Sequence, residues 1–592
     1  MNLNWNLEKL YPSFDSKELL EDKKKLEHLL DSTIQWANKT LKVIDTSTLE
    51  NYIQKSIEIV KLMEKLFAFG QLSFSVNVKN EKALELIEFC EKLLIKEKEI
   101  DVLFKEAIKN CANLDKLIEN SVLLKEHEFF LLEEKQWANR LLSKEEELVM
   151  EKMKNTGSRA WEKLQDTLTS TLEVEYKNPN GNIEYLPLST VRNFAYDSNR
   201  DVRKNAYKAE LKAYKHIEVS VASALNSIKA QAILENELRG FDSVLDSTLA
   251  KSRMNKETLD AMLEAMKEAL PHFAKFLKRK AKIISNKDSL DFYDLFAPIG
   301  QAKLEFTELE AKDLILENFY VFSKRLGDMA TKAFNDNWVD FKPKEGKLGG
   351  AFCYNLHSIK ESRILGNFTG NFSDVITLAH ELGHAYHGEI LNNESILNSD
   401  YSMPIAETAS IFCESIVKKS ILDKINDNDR ISILEQDISD SLQVIVDIYS
   451  RFLFENKLII ERKHSSLSVE KIKEFMLNSQ KEAYLDGLNH DSLHEYMWLC
   501  KGHYYSAELN YYNFPYAFGL LFSKGLYSIY LENKDFFVGK YDELLALTGK
   551  NTLEDIGKFI GIDLSKKEFW EKSINLIIAD IDKFMELSKV LL

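Results

Sequence analysis

The chain has 592 residues and a formal net charge of −16, with 45% hydrophobic and 29% charged residues. That balance suits a soluble globular protein of several domains or one large multi-lobed body. The acidic excess argues against nucleic acid and anionic membrane surfaces as partners, since both are captured by clustered Lys and Arg. The opening Met1–Leu10 has neither a basic segment nor an apolar one, so no signal peptide is expected. No uncharged apolar run reaches the roughly 18 residues of a membrane span. The cysteines at 90, 111, 353, 413 and 500 are scattered and odd in number, as expected for reduced thiols in a cytoplasmic protein.

Only 8 prolines and 21 glycines interrupt the chain, which predicts long helices. The first ~150 residues read as amphipathic helices, with Ile53, Ile57, Val60, Met63 and Phe67 at helical spacing. One β feature follows. Leu172, Val174 and Tyr176 alternate with glutamates, Asn178-Pro179-Asn180-Gly181 supplies a turn, and Ile183 and Tyr185 resume the alternation, which predicts a hairpin. A boundary is placed there, giving an N-terminal helical domain over 1–187 and a catalytic domain over 188–592. Helical patterning returns at Ser189 and runs to about Asn335. Glycines then concentrate over 346–370, and Arg363–Phe368 reads as a short strand leading into a helix capped by Asn371 or Ser373, with Asp374 favourable at its positive end. From 404 onward the chain again reads as mostly helical.

The helix after that strand carries His380-Glu381-Leu382-Gly383-His384. Residues four apart share a helix face, so both histidines can bind one metal ion while Glu381 reaches a water beside it. Chance alone produces this pattern in a chain of such length with odds on the order of a few per cent. Gly383 in the motif allows another element to come close.

A catalytic zinc needs a third protein ligand and an open position. The longer pattern ending in a third histidine fails, because Ile390 occupies that position. A carboxylate on a following element remains, from Glu389, Glu394, Asp400, Glu407 and Glu414. Glu389 and Glu394 are too near the first helix to fold back. Glu407 is favoured, because Pro404 suits a helix start and Ala406, Ala409 and Ser410 permit close packing. Glu414 lies two turns along the same face and suits a carboxylate that orients a ligand histidine. His387 sits about one further turn along the motif helix, too far for the same metal, so it is assigned to packing or hydrogen bonding.

These residues resemble those of oligoendopeptidase F, among the thimet-oligopeptidase-like zinc peptidases. The resemblance rests on Trp5–Pro12, Gly349–Cys353, Gly366–Gly370, His380–His387, Glu407–Ser410, His503–Tyr505 and Tyr511–Gly519, and it spans nearly the whole chain. It implies a mainly α, two-lobed metallopeptidase with a deep central channel and a small β-sheet next to the zinc-binding helix. It implies internal cleavage of short unfolded peptides inside the cell, with Glu407 as the third zinc ligand. It also implies that a histidine and a tyrosine near the C-terminal end serve the transition state. By position these are His503 and Tyr512, with Tyr505 and Tyr516 as alternatives.

The expected mechanism has one Zn²⁺ held by His380, His384 and Glu407. Glu381 is the general base, and His503 and Tyr512 hydrogen-bond the oxyanion. The strand around 364–368 is expected to pair with the substrate backbone. The rival readings are a metalloaminopeptidase, which needs a carboxylate near the edge strand for the free amine, and a non-catalytic peptide-binding protein with a vestigial zinc site.

Overall fold

The computed structural model describes residues 4–300, 304–422 and 424–592, and it is mainly helical, as expected. The chain forms two compact units. The first comprises Met1–Leu141, Leu304–Asp423 and Ile529–Gly561; the second comprises Leu142–Lys303, Lys424–Ser528 and Ile562–Leu592. The division read from sequence at 187 falls inside the second unit. Helical periodicity reports which face of an element is buried, not which distant segment covers it.

The first unit begins with long helices, Lys17–Thr40, Thr46–Val76 and Glu81–Lys109, whose N-caps Ser16, Asp45 and Asn80 each accept a backbone N–H. The buried stripe of the second helix is Leu49, Ile53, Ile59, Met63 and Leu66. Ile57 and Phe67, expected in the core, pack only partly against it.

The predicted hairpin forms in the second unit from β1 (Glu173–Lys177) and β2 (Ile183–Pro187), antiparallel, with Tyr176 opposite Glu184. Asn178 Oδ1 accepts from the backbone N–H groups of Asn180 and Asn182, and Gly181 takes a φ of +90°. Val174 and Tyr176 are buried, whereas Ile183 and Tyr185 face solvent.

A small sheet in the first unit positions the motif helix. It contains β3 (Val339–Asp340), β4 (Phe352–Leu356) and β5 (Glu361–Leu365) in the order β3-β5-β4. β5 is parallel to β3 and antiparallel to β4. Five consecutive buried residues in β5 follow from that central position. Beyond β5, Gly366 and Phe368 donate to the Asp340 and Phe341 carbonyls. β5, which begins the segment expected to pair with substrate, therefore has both edges occupied, and the edge strands are the two-residue β3 and the longer β4.

The motif helix, Phe372–Leu391, is capped by Asn371, whose side chain accepts from Asp374 N, and Asp374 in turn accepts from Thr369 N and Gly370 N. The helix bearing the second set of carboxylates, Thr408–Leu422, packs on it at Gly383. A Cβ at Gly383 would stand 2.6 Å from Ala409 O and 2.6 Å from Ser410 Cα. Gly388 makes room for the Asn355 side chain of β4, and Asn355 Nδ2 donates to His384 O at 3.3 Å.

Gly383→Ala forces two backbones apart where neither has a flexible tip to yield. It is expected to cost about 1–3 kcal/mol of unfolding free energy and to lower bound metal, read by denaturant titration and metal analysis of the purified variant.

Candidate active site

His380 and His384 emerge from one face of the motif helix with their Nε2 atoms 3.1 Å apart. Glu407 stands just before the helix Thr408–Leu422, and its carbonyl accepts the first helical bond, from Ile411 N. Pro404 lies in the short 3₁₀ turn Met403–Ile405 ahead of it, not at the α-helix start expected from sequence. Glu407 Oε2 lies 3.3 Å from His380 Nε2 and 3.5 Å from His384 Nε2, and Ser410 Oγ donates to the same oxygen at 2.7 Å. The structure thus brings His380, His384 and Glu407 into one group of potential ligand atoms.

The donor set fits a metal. Four ligands at zinc–nitrogen and zinc–oxygen bond lengths, arranged tetrahedrally, are separated by about 3.3–3.4 Å, against the 3.1, 3.3 and 3.5 Å observed. The side chains of His380, His384 and Glu407 remain 24, 18 and 26% exposed, so the group can be reached by water.

Glu414 takes the place foreseen for it. His380 Nδ1 donates to Glu414 Oε1 at 2.6 Å, and Lys418 Nζ approaches Glu414 Oε2 at 3.0 Å. This bond keeps a proton on Nδ1 and turns Nε2, the atom that would bind a metal, toward the ligand group. Burial opposes charge on His380, but the Glu407 and Glu414 carboxylates outweigh it and hold the ring up to about 10. Burial and the neighbouring His380 push His384 down to about 4. Burial raises Glu407, yet the two imidazoles and Ser410 bring it down to about 2.

Glu381 behaves differently. It is buried, and burial together with the Glu407 and Glu414 charges pushes its carboxyl up to about 7, His380 opposing. His387 is buried away from the group, stacked on Tyr401 with ring centroids 4.4 Å apart and its Nε2 2.8 Å from Thr548 Oγ1. The packing role read from its spacing is the one it has.

His503, Tyr512 and Tyr516 stand in the second unit. His503 stacks on Tyr512 with centroids 5.7 Å apart, and the Tyr512 and Tyr516 hydroxyls are 2.7 Å apart. Arg451 Nη1 donates to Asn513 Oδ1 at 3.0 Å, and Asn513 Nδ2 donates to His503 Nε2 at 2.9 Å. His503 Nε2 is therefore an acceptor and its proton sits on Nδ1. Burial and the Arg451, Lys229 and Lys501 charges push this ring down to about 3. Lys229 Nζ, buried, donates at 2.8 Å to both Glu455 Oε1 and Asn510 Oδ1 and so pins the segment ahead of Tyr512. Tyr511 takes a φ of +52°, a left-handed conformation costly for a bulky side chain. Tyr505 is completely buried, and its hydroxyl donates to Trp498 O, so it is a core residue and not an available donor.

Sequence reasoning missed Asn355, which ties β4 to the carbonyl of His384, and Lys418, the cation behind Glu414. The i,i+4 spacing of Glu414 and Lys418 was the available signal for the second. Nothing local announces the first.

Two imidazoles and a carboxylate converging beside a buried glutamate, on a helical frame, define a metallopeptidase. Comparison with known proteins makes this specific. The chain belongs to Peptidase family M3, which it matches over residues 193–576, and residues 110–173 match Oligopeptidase F. The gap between the two matches, residues 174–192, holds all of the hairpin but its first residue. The family implies a metal. The chain is 24% identical over 556 residues to an oligoendopeptidase F homolog of Borreliella burgdorferi, covering 90% of each chain. It is 23% identical over 578 residues to another from Lactococcus lactis, covering 94% of this chain and 92% of that one. Against oligopeptidase PepF of Bacillus subtilis the match is 23% over 423 residues and spans 61% of that protein. The fold is shared with a solved chain from Chlamydophila abortus, with a TM-score of 0.86, 20% identity and coverage of 99 and 98%. It is also shared with oligoendopeptidase F from Enterococcus faecium, with a TM-score of 0.70, 16% identity and coverage of 96 and 99%.

Glu414→Ala removes the acceptor that fixes the His380 ring. It is expected to weaken metal binding on the order of tenfold to a hundredfold, measured by competition against a chromophoric chelator.

Proposed function

We propose that the chain is a zinc oligoendopeptidase that cleaves internal bonds of short unfolded peptides. The observation that carries this reading is the spacing of His380 Nε2, His384 Nε2 and Glu407 Oε2, with Glu381 buried next to them. Two imidazoles and a carboxylate with an open fourth position are a catalytic zinc donor set. When bound, the ion supplies Lewis-acid polarisation of the scissile carbonyl and a water of lowered pKa.

Glu381 takes the proton of the attacking water and passes it to the leaving amine. Its place next to His380 on the motif helix puts it beside the ligand group, within reach of such a water. Glu414 holds the proton on His380 Nδ1. His503 Nδ1–H and the Tyr512 hydroxyl are the proposed donors to the substrate oxyanion. The Tyr512 and Tyr516 hydroxyls share a hydrogen bond in which either can donate; when Tyr516 donates, the Tyr512 proton is free to point at substrate.

The open edge of β4 is the proposed partner for the substrate backbone, in place of the segment 364–368. Its residues Phe352, Cys353, Tyr354, Asn355 and Leu356 include no carboxylate, which counts against a site for a free α-amine and so against an aminopeptidase. No helix among the described residues is long and apolar enough to cross a membrane. All five cysteines are free thiols, three of them buried, which supports a reducing, cytoplasmic setting.

An N-terminally blocked peptide ladder, read by mass spectrometry with and without chelator, tests the reading. Internal cleavage of short peptides, lost with chelator and restored by zinc, is expected; cleavage confined to free N-termini would overturn it. Glu381→Gln is expected to retain zinc and lose on the order of 10²–10⁴ in kcat. Tyr512→Phe is expected to lose on the order of 10²–10³ in kcat with little change in KM, and an unaffected kcat would remove Tyr512 from the mechanism.

A further inference from the structure

The second unit contains a cavity of 320 Å³ whose wall carries Arg192, Lys501, Glu210 and Asp447 together with the rings of Tyr196 and Phe292. Its charges are unequally satisfied. Glu210 accepts from the Tyr214 hydroxyl at 2.7 Å and lies 3.3 Å from Arg192 Nε. Asp447 is paired with Arg451 Nη2 at 2.5 Å and accepts from the Tyr484 hydroxyl at 3.1 Å. Arg203, on the same wall, is bound to Asp294 and to the Asp197 carbonyl. Each acid thus has its cation. Lys501, by contrast, has no carboxylate within ion-pair distance among the described residues, and the two terminal nitrogens of Arg192 donate no hydrogen bond among them, although its Nε lies by Glu210. Burial and the Arg451 charge lower the Lys501 pKa, with Arg192 adding to the repulsion. A half-buried ammonium beside an arginine with a vacant guanidinium fork lacks an anion.

We propose that this cavity binds the free C-terminal carboxylate of a peptide between Arg192 and Lys501, with the terminal side chain against the aromatic wall. A planar fork recognises a carboxylate through paired N–H donors. The size of the cavity and its rings suit an amino-acid residue, not a bare inorganic ion. The site is also connected to the proposed catalytic donors of the same unit. Lys501 lies two residues before His503, and Asp447 leads through Arg451 and Asn513 to His503 Nε2. Asp447 itself comes from the π-helical turn Gln443–Asp447, a local widening that presents it to the cavity. The proposal rests on the peptidase reading, and it adds that peptides are held by their C-terminal end.

The test is calorimetric titration of the full-length, zinc-loaded Glu381→Gln protein, so that turnover does not enter. The probes are an N-acetylated hexapeptide ending in phenylalanine and the same peptide as its C-terminal amide. The free acid is expected to bind on the order of tenfold to a hundredfold more tightly. Adding Lys501→Met or Arg192→Gln should bring that ratio close to one, and Lys501→Arg should preserve it. Arg192→Gln removes one partner of Glu210, whose other oxygen lies 3.6 Å from His494 Nε2, and risks the fold; Lys501→Met removes no partner and decides the matter alone. Equal binding of acid and amide, or a ratio that survives Lys501→Met, overturns the proposal. Binding of inorganic phosphate that depends on Lys501, with acid and amide equal, shows an inorganic anion site and likewise overturns it. An acid preference that depends on Lys501, in a protein whose wild-type form cleaves nothing, sustains this proposal and defeats the peptidase reading.

Discussion

The site depends on one contact, the approach of the helix Thr408–Leu422 to the motif helix at Gly383. No side chain could sit there, since backbone atoms of Ala409 and Ser410 occupy the space a Cβ would need. Because the backbones touch, short carboxylate side chains suffice to span the gap, Glu407 to both histidine Nε2 atoms and Glu414 to His380 Nδ1. Ala409 and Ser410 are small and fully buried for the same reason. β4 secures the motif helix at a second point, through Asn355 at Gly388.

Three glutamates beside these histidines differ only in surroundings. Glu407 and Glu414 face imidazoles, a hydroxyl and an ammonium, and stay ionised despite burial. Glu381 has only the His380 charge against its burial and the two neighbouring carboxylates, and is pushed toward neutrality. One residue type thereby supplies a metal ligand, an orienting acceptor and a proton carrier, divided by environment. In the second unit the same logic runs with opposite sign, where burial among cations keeps His503 neutral and fixes its tautomer.

Much of this was legible in the chain. The histidine spacing, the capping Asn371, the hairpin turn at Asn178–Gly181 and the reach of Glu414 are local or one-helix facts, and local patterns carry them. The strand order was not legible. Arg363–Phe368 looks like a strand, but its central place depends on Val339–Asp340 and Phe352–Leu356, and sheet pairing is set by tertiary contact. The tyrosines could not be sorted for a similar reason. Tyr505 and Tyr512 are alike in sequence, and only the Trp498 carbonyl, brought against one of them, makes that one a core residue. Which stretches compose the two units was not legible, because each is assembled from three separated lengths of chain.

That assembly has a consequence for the protein as it is made. The motif helix is held from behind by the segment 529–561, with Tyr386 donating to Asp542 and His387 meeting Thr548. A ribosome adding roughly 5–20 residues per second therefore releases the histidines well before their support emerges. The metal unit closes only after the segment 529–561 has emerged, about 150 residues beyond the histidines. A chain that stops short of that segment carries the ligand residues without the body that aligns them, so the metal site waits on support made long after its ligands.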